Sequence, residues 1–362
     1  MSRIMLACGG TGGHLAPGIA LAQRLNEAGH ESLLVVSRKI VDTQMTAKYA
    51  GLNFVAGRGR GFGPGVINKL LFFPALLGSM FSTWRLVRKY RPEVLICFGG
   101  FMSLAPALVC ALKGIPVLVH EANRRPGKAV RLIARFARSV HLPAGVRIPG
   151  IVEERQHDAG FPIRQEIFIS AKEVARKTLN FPATGRLILV TGGSQGAQVL
   201  TLWVEANLAQ FASRGVHVLC LTGAGGRVGE VRTEHSTVRF IEFCNQMGSA
   251  YSAADLAITR AGAGTIAELA SCRTPSILIP YPLAADDHQT ANAQSVAGLG
   301  AAELLTEASI SQISEKVFYI LNNQGRLTAM RDALAMLDAN NRWEEMFVET
   351  LQLASAYAAQ KA

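Results

Sequence analysis

An apolar run that ends in Gly-Gly-x-x-Gly and leads into a helical pattern occurs twice in this 362-residue chain. Arg-Ile-Met-Leu-Ala-Cys-Gly-Gly-Thr-Gly-Gly at 3–13 lies over Arg-Leu-Ile-Leu-Val-Thr-Gly-Gly-Ser-Gln-Gly at 186–196, with helical periodicity following at 15–28 and 197–213. Four or five apolar residues, a glycine turn and a helix make the opening βα unit of a Rossmann-like domain, so the repetition predicts two such domains. The parallel continues: 94–98, Gly99-Gly100, a helix and 117–120 match 256–259, Ala261-Gly262-Ala263-Gly264, a helix and 276–280. Strands alternating with helices demand parallel sheets with right-handed crossovers, and they put the glycine turns at the carboxyl edges of the strands. Two such edges facing each other make a deep cleft. The expected fold class is therefore α/β, two Rossmann-like domains with parallel sheets facing across that cleft.

The boundary is expected near 160–163, after a stretch punctuated by Pro143, Pro149 and Gly150, giving domains at 1–162 and 163–340. Trp343, Phe347, Leu351 and Ala354 fall at helical spacing, so a last helix over 341–362 is expected to bury that stripe back on the first domain. An apolar content of 49% is ample for two cores. The six cysteines are scattered through apolar runs without a metal-type or CxxC spacing, and read as buried thiols of a reducing compartment. Met5-Leu6-Ala7-Cys8 resembles a lipoprotein cleavage site, but no charged-then-apolar leader precedes it, so a signal peptide is not expected.

Charge divides the chain unevenly. Residues 1–162 carry 21 Lys+Arg against 8 Asp+Glu, while the remainder carries 16 against 18. A basic half points to an anionic lipid surface, a polyanionic substrate or nucleic acid, or else to solvated charge alone. Aromatic residues are not interleaved with the positive charges, which weighs against nucleic acid. Within this half, 66–91 holds an apolar stretch too short and too proline-broken to span a bilayer, with Trp84, Arg85, Arg88, Lys89 and Arg91 at its end. It fits a surface dipping into an anionic membrane, or one or two helices packed in a core.

Glycine turns before helices let backbone N–H groups and the helix dipole meet an anion. Tight strand–helix packing would explain them as well. Neither turn carries a Walker lysine, and no acid stands in the position expected for a dinucleotide ribose, so nucleoside triphosphate hydrolysis and NAD are both disfavoured. His14 sits where the first turn becomes a helix; it reads as a general base or substrate contact, kept neutral by the positive helix end, or as a structural histidine. Thr265-x-x-Glu268 is a capping-box pattern, and Glu268 could equally accept hydrogen bonds from vicinal ribose hydroxyls. The Asp286-Asp287 pair lacks a third ligand in sequence, so no metal is expected there.

Together, GGTGGHLAPG at 9–18, FGGFMS at 98–103, HEANRRPG at 120–127, GGSQGA at 192–197, EFCNQM at 242–247, RAGAGTIAE at 260–268 and DDHQTANA at 286–293 resemble the MurG family. These are peripheral-membrane N-acetylglucosaminyltransferases of peptidoglycan synthesis with the GT-B fold. The resemblance implies inverting transfer of N-acetylglucosamine from UDP-N-acetylglucosamine to the 4-hydroxyl of the muramyl sugar of lipid I, at the cytoplasmic face of the bacterial inner membrane. It makes an anionic membrane surface a partner and other cell-wall synthesis proteins candidate partners. By motif, Ser194 is implied at the diphosphate, the Cys244 backbone at the uracil, and Ala263, Gly264 and Thr265 at the phosphates, with Ile266 and Ala267 leading to Glu268 at the ribose. His288 and Gln289 are implied at the sugar, Arg164 near the nucleotide, and Thr11, Gly12, Gly13, His14 and Asn123 on the acceptor side. The chain departs from the family pattern at Phe161 and Ala122. No cofactor or metal is implied, because helix N-termini and Ser194 can take the charge developing on UDP. A UDP-N-acetylglucosamine 2-epimerase and a transferase acting on another lipid acceptor are the alternative readings.

Overall fold

Alternate residues of the first strand, β1 (Arg3–Ala7), serve two cores: Ile4 and Leu6 face one side of a sheet, Met5 and Ala7 the other. That period of two over an unbroken apolar run is what a strand covered on both faces requires. The computed structural model of the chain describes residues 1–10, 12–37, 46–57, 66–193 and 196–361, without the side chains of 66–72. It forms two compact units, one made of Met1–Arg164 and Asn341–Ala362, the other of Gln165–Asn340.

In the first unit, β1 is followed by α1 (Gly12–Glu27), β2 (Glu31–Val36), β3 (Asn53–Ala56), α2 (Val66–Tyr90), β4 (Val94–Cys97), α3 (Leu104–Leu112), β5 (Val117–His120), α4 (Lys128–Ala134), β6 (Ser139–Leu142) and β7 (Gln156–Asp158). The strands run in the order β3-β2-β1-β4-β5-β6-β7, every neighbouring pair parallel. Leu15, Ile19 and Leu25 of α1 cover one face, and residues of α2, α3 and α4, such as Val87, Ala107 and Ile133, cover the other.

The second unit contains α5 (Lys172–Thr178), β8 (Arg186–Thr191), α6 (Gln198–Ala206), α7 (Leu208–Ser213), β9 (Val216–Leu221), β10 (Gly229–Arg232), β11 (Thr237–Ile241), α8 (Met247–Ala253), β12 (Leu256–Thr259), α9 (Ala263–Ser271), β13 (Ser276–Leu278), α10 (His288–Gly298), β14 (Ala302–Leu304), α11 (Ile313–Asn322) and α12 (Gln324–Ala339). Its order is β10-β11-β9-β8-β12-β13-β14. Here the expectation of a purely parallel sheet needs correcting, because β10 pairs antiparallel with β11. Only four residues separate the two strands, too few for a crossover, and the turn is closed by Thr233 N donating to Ser236 O at 2.8 Å.

A second correction concerns the helix expected over 197–213, which breaks into α6 and α7 at Asn207 (φ −110°, ψ 10°). The Asn207 Nδ2 donates to Trp203 O at 2.7 Å and its Oδ1 accepts from Ser314 Oγ, which in turn accepts from Trp203 Nε1. Side-chain bonds of this kind compete with the helix ladder.

The last helix, α13 (Trp343–Lys361), buries Met346, Phe347, Thr350 and Ala354 in the core shared by Ile4, Leu6 and Leu118. Met346 and Phe347 together supply roughly 4–5 kcal/mol of apolar burial before the entropy of ordering the helix is counted. Its Glu349 accepts from Ser139 Oγ at 3.1 Å and meets His141 Nε2 at 2.9 Å on β6. Just before it, Asn341 clasps Phe161, accepting from its N–H at 2.7 Å and donating to its carbonyl at 3.0 Å.

Candidate functional site

In both sheets the strand order reverses direction beside the first strand of the unit, between β1 and β4 and between β8 and β12. Ligands of open α/β sheets bind at the carboxyl ends of such strands, and all four glycine turns singled out from sequence leave these four strands.

In the first unit, α1 begins at Gly12, three residues before the expected start. Gly12 and Gly13 thus supply first-turn amides, which have no acceptor within the helix. Thr11 lies outside the described residues. The half-buried His14 ring rests on the turn after β4: a β-carbon on Gly99 would lie 3.2 Å from its Nε2, and one on Gly100 3.2 Å from its Nδ1. Both glycines hold positive φ, 95° and 71°, which ordinary residues rarely adopt. The glycines of this turn therefore shape a seat for the histidine.

Beyond β5, the buried Glu121 organises the loop that carries Asn123. Its Oε1 accepts from Asn123 N at 2.9 Å and Asn123 Nδ2 at 2.8 Å, and its Oε2 accepts from Gly127 N at 2.9 Å. Glu121 received no role from sequence, although an acid two residues before Asn and six before Gly is a recognisable loop-closing pattern. Beside it, His120 is buried against Phe98 and Phe161, with Nε2 2.9 Å from Gly160 O. Burial pushes its pKa down to about 4, with lesser contributions from neighbouring His141 and His14, so it is neutral near pH 7. Arg164 belongs to the first unit, where its Nη1 donates to Tyr49 Oη at 3.2 Å.

In the second unit the site gathers around β12. Gly262 is the N-cap of α9 and provides no side-chain cap, so the amides of Ala263, Gly264 and Thr265 form a bare first turn. This arrangement removes the capping-box reading: Thr265 is the third helical residue, not the N-cap, and Glu268 is the sixth. Glu268 is buried and its Oε2 accepts from Tyr251 Oη at 3.1 Å. Ile266 and Ala267 continue α9, with Ile266 buried and its N–H bonded to Gly262 O.

Gln289 and Asn292 of α10 hold the turn from the other side. Gln289 Oε1 accepts from Ala261 N at 3.2 Å and Tyr281 N at 2.9 Å, while Asn292 Nδ2 donates to Ala261 O at 3.2 Å. His288, half-buried, approaches Ala285 O through Nδ1 at 2.7 Å. Two successive aspartates, Asp286 and Asp287, take left-handed backbone (φ 52° and 51°) to aim this segment, a strain of roughly 1 kcal/mol or more each. Arg260 braces the same edge, donating through Nη1 to Glu307 Oε2 at 2.8 Å and to the carbonyls of Ile279 and Pro280 at 3.3 Å.

Ser194 lies outside the described residues, but the backbone that frames it is described. A β-carbon on Gly192 would collide with the backbone of Gly196 and Ala197, so that turn closes only with glycine there. Half-buried Cys244 sits in the loop after β11, whose Glu242 accepts from Gly225 N at 3.0 Å through Oε1 and from Gly223 N at 3.1 Å through its carbonyl. The loop 222–226 after β9, which sequence reasoning passed over, is thus tied to the loop that carries Cys244. Among the described residues, no three His, Cys, Asp or Glu side chains converge as metal ligands do.

Residues 4–142 match the glycosyltransferase family 28 N-terminal domain and 187–343 its C-terminal domain. The chain is 39% identical to the UDP-N-acetylglucosamine--N-acetylmuramyl-(pentapeptide) pyrophosphoryl-undecaprenol N-acetylglucosamine transferase of Opitutus terrae, over 99% of this chain and 97% of that protein. It is 34% identical to the transferase of the same name from Salinibacter ruber, over 98% of this chain and 97% of the other. In fold it is similar to Acinetobacter baumannii MurG, with a TM-score of 0.70 at 22% identity, covering 97% of this chain and 100% of that one. The calicheamicin glycosyltransferase CalG4 gives a TM-score of 0.67 at 15% identity, covering 100% and 99%. With both domain matches in order along a GT-B fold, and full-length relatives at 39% and 34% identity, the chain belongs to glycosyltransferase family 28, among its N-acetylglucosaminyltransferases.

Proposed function

We propose that this protein transfers N-acetylglucosamine from UDP-N-acetylglucosamine to the 4-hydroxyl of the muramyl sugar of lipid I, with inversion, yielding lipid II and UDP. The observation that carries this reading is the uncapped N-terminus of α9 at the strand-order reversal, with Glu268 and Gln289 held beside it, in a chain 39% identical to a transferase so named.

In the second unit, the amides of Ala263, Gly264 and Thr265, with Ser194, take the diphosphate. Glu268 takes the ribose hydroxyls, the Cys244 backbone the uracil, and His288 and Gln289 the sugar, while Arg164, a residue of the first unit, is assigned to the nucleotide. As the bond from the anomeric carbon to the diphosphate oxygen breaks, negative charge grows on UDP, and fixed amide dipoles favour that charge without reorganising. Thr11, Gly12, Gly13 and Asn123 receive the acceptor. His14 takes the proton of the attacking hydroxyl as the new glycosidic bond forms on the opposite face of the sugar.

The acceptor is lipid-borne, and α2 supports a role at the membrane surface. Its inner face packs Met80, Leu86 and Val87 into the core, while Phe73, Leu77, Phe81 and Trp84 follow one another along the outer face and are exposed. Arg85 stacks over Phe81 at 5.0 Å, and Arg88 and Lys113 over Trp84 at 4.7 and 5.6 Å. An apolar stripe fringed by cations suits shallow insertion among anionic headgroups. No helix among the described residues is long and apolar enough to cross a membrane. The proposed location is peripheral, on the cytoplasmic face of the inner membrane.

The test is incubation with UDP-[14C]-N-acetylglucosamine and a short-chain lipid I analogue in chelator, with and without added Mg²⁺. Label is expected in the lipid fraction with equimolar UDP. Label that stays water-soluble as a 2-epimerised sugar nucleotide would overturn the assignment.

A further inference from the structure

Glu268 does not meet its ligand unaided. Its carboxylate is anchored from α8, where the hydroxyl of Tyr251 donates to Oε2 at 3.1 Å. Both side chains are buried, Tyr251 to 2% exposure and Glu268 to 7%. Tyr251 is itself held at the backbone, its carbonyl accepting from Thr274 Oγ1 at 3.0 Å, and Thr274 is 1% exposed. The buried Cys272 thiol stands nearby; burial and then the Glu268 charge push it up to about 12, so it stays protonated and brings no second anion to the carboxylate. The helix carrying Tyr251 starts at Met247, directly after the loop of Cys244, so one rigid element runs from the base-binding loop to the ribose-binding acid.

A glutamate side chain turns about three bonds, and a carboxylate that must receive two vicinal hydroxyls gains from having its plane fixed beforehand. We infer that Tyr251 is a positioning residue for ribose recognition: its hydroxyl sets the Glu268 carboxylate so that the site prefers uridine diphosphates with an intact 2′,3′-diol over their 2′-deoxy counterparts. The inference rests on the reading of Glu268 as the ribose ligand.

Calorimetric Kd values for UDP and 2′-deoxy-UDP on the full chain, for wild type, Tyr251→Phe, Glu268→Gln and the double variant, test both layers. Wild type is expected to prefer UDP by about 10², the upper range for a hydrogen bond from one hydroxyl to a charged carboxylate. Tyr251→Phe keeps the ring and its volume and is expected to lower that preference about tenfold, the worth of one hydrogen bond to a charged group. KM for UDP-N-acetylglucosamine should rise by more than kcat falls, since the ribose is held alike in ground and transition states. In the Glu268→Gln background the tyrosine substitution should change the ratio no further. A merely structural role would lower the melting temperature and weaken both nucleotides equally. An unchanged ratio in Tyr251→Phe, beside a collapsed one in Glu268→Gln, overturns the inference. An unchanged ratio in Glu268→Gln overturns the ribose reading beneath it.

Discussion

Asp255, immediately before β12, gathers three cations and a backbone N–H around one buried carboxylate, and its replacement by asparagine tests whether that charge is structural. The carboxylate is fully buried and receives Lys172 Nζ, Arg176 Nη2 at 3.0 Å, Arg186 Nη1 at 3.0 Å and the Leu187 backbone N–H at 2.9 Å. Asparagine keeps the shape but leaves three cations facing a neutral amide. Lys172 and Arg186 are 36% and 40% exposed, so water screens much of their loss. Arg176 is 1% exposed and cannot escape; its bonds to the carbonyls of Ala253, Pro182, Ala183, Thr184 and Gly185 remain, but the buried cation loses its paired negative charge, at a cost of about 3 kcal/mol. For a unit of this size that corresponds to a fall of roughly 6–12 °C in melting temperature. Burial by itself would raise the Asp255 carboxyl, yet the bonds from Lys172, Leu187 and Arg186 prevail and hold it below the ordinary aspartate value. Its folded pKa being depressed, its stabilisation is present above the unfolded pKa of about 4 and disappears as the pH falls through the folded value. Wild type should therefore lose stability on acidification below about pH 4 more steeply than D255N. Urea titrations of both proteins at pH 7, and at two acidic values, measure the difference. A loss under about 1 kcal/mol at pH 7, or identical acid slopes, would refute the reasoning.

Other consequences can be measured directly. His14→Ala should lower turnover by about 10² to 10⁴ with the fold intact, as judged by circular dichroism; near wild-type turnover removes His14 as the base. Gly100→Ala combines left-handed backbone with a β-carbon against the His14 ring and should cost about 1–2 kcal/mol together with much of the activity, whereas Gly114→Ala, with similar φ but open space around it, should cost the backbone part alone. Because His120 binds its proton less well folded than unfolded, stability is full above pH 6.5 and declines below it, by about 2 kcal/mol between pH 7 and 5; His120→Asn should flatten that part of a urea-melt pH series. Leu77→Ser with Phe81→Ser should weaken binding to phosphatidylglycerol vesicles by about tenfold or more in a flotation assay, leaving turnover of a soluble acceptor analogue in place.

What could be read from the sequence is what has a local signature. β1, β4, β8 and β12 announce themselves as short apolar runs closed by glycine, and the need for glycine at 192 has a steric cause within a few residues, at Gly196 and Ala197, whereas Gly99 and Gly100 meet the distant His14 ring. The hidden parts depend on partners distant in the chain. Nothing near Asn207 says that Ser314, 107 residues away, will help break a helix there. The antiparallel β10 has a weak, charged strand pattern, Gly-Glu-Val-Arg, that only its pairing reveals. At the site, Glu268 matched a capping motif because Thr265 and Glu268 have the right spacing, but the glycine two residues before Gly264 already starts the helix. The tyrosine that holds Glu268 comes from another helix 17 residues away and carries no motif. The division between the units falls after Arg164 rather than after 162, since the Phe161–Asn341 clasp and the Arg164–Tyr49 bond tie those last residues to the first unit.

The first sheet borrows one of its covers from α13, about two hundred residues downstream of its last strand. During synthesis, Ile4, Leu6 and Leu118 must therefore wait with part of their face bare until α13 leaves the ribosome, while residues 165–340 form one continuous segment that can close its own core beforehand. The earliest-made half is thus the last to be finished, and a nascent chain stalled before residue 343 would present a sticky, half-roofed sheet to the chaperones and proteases around it.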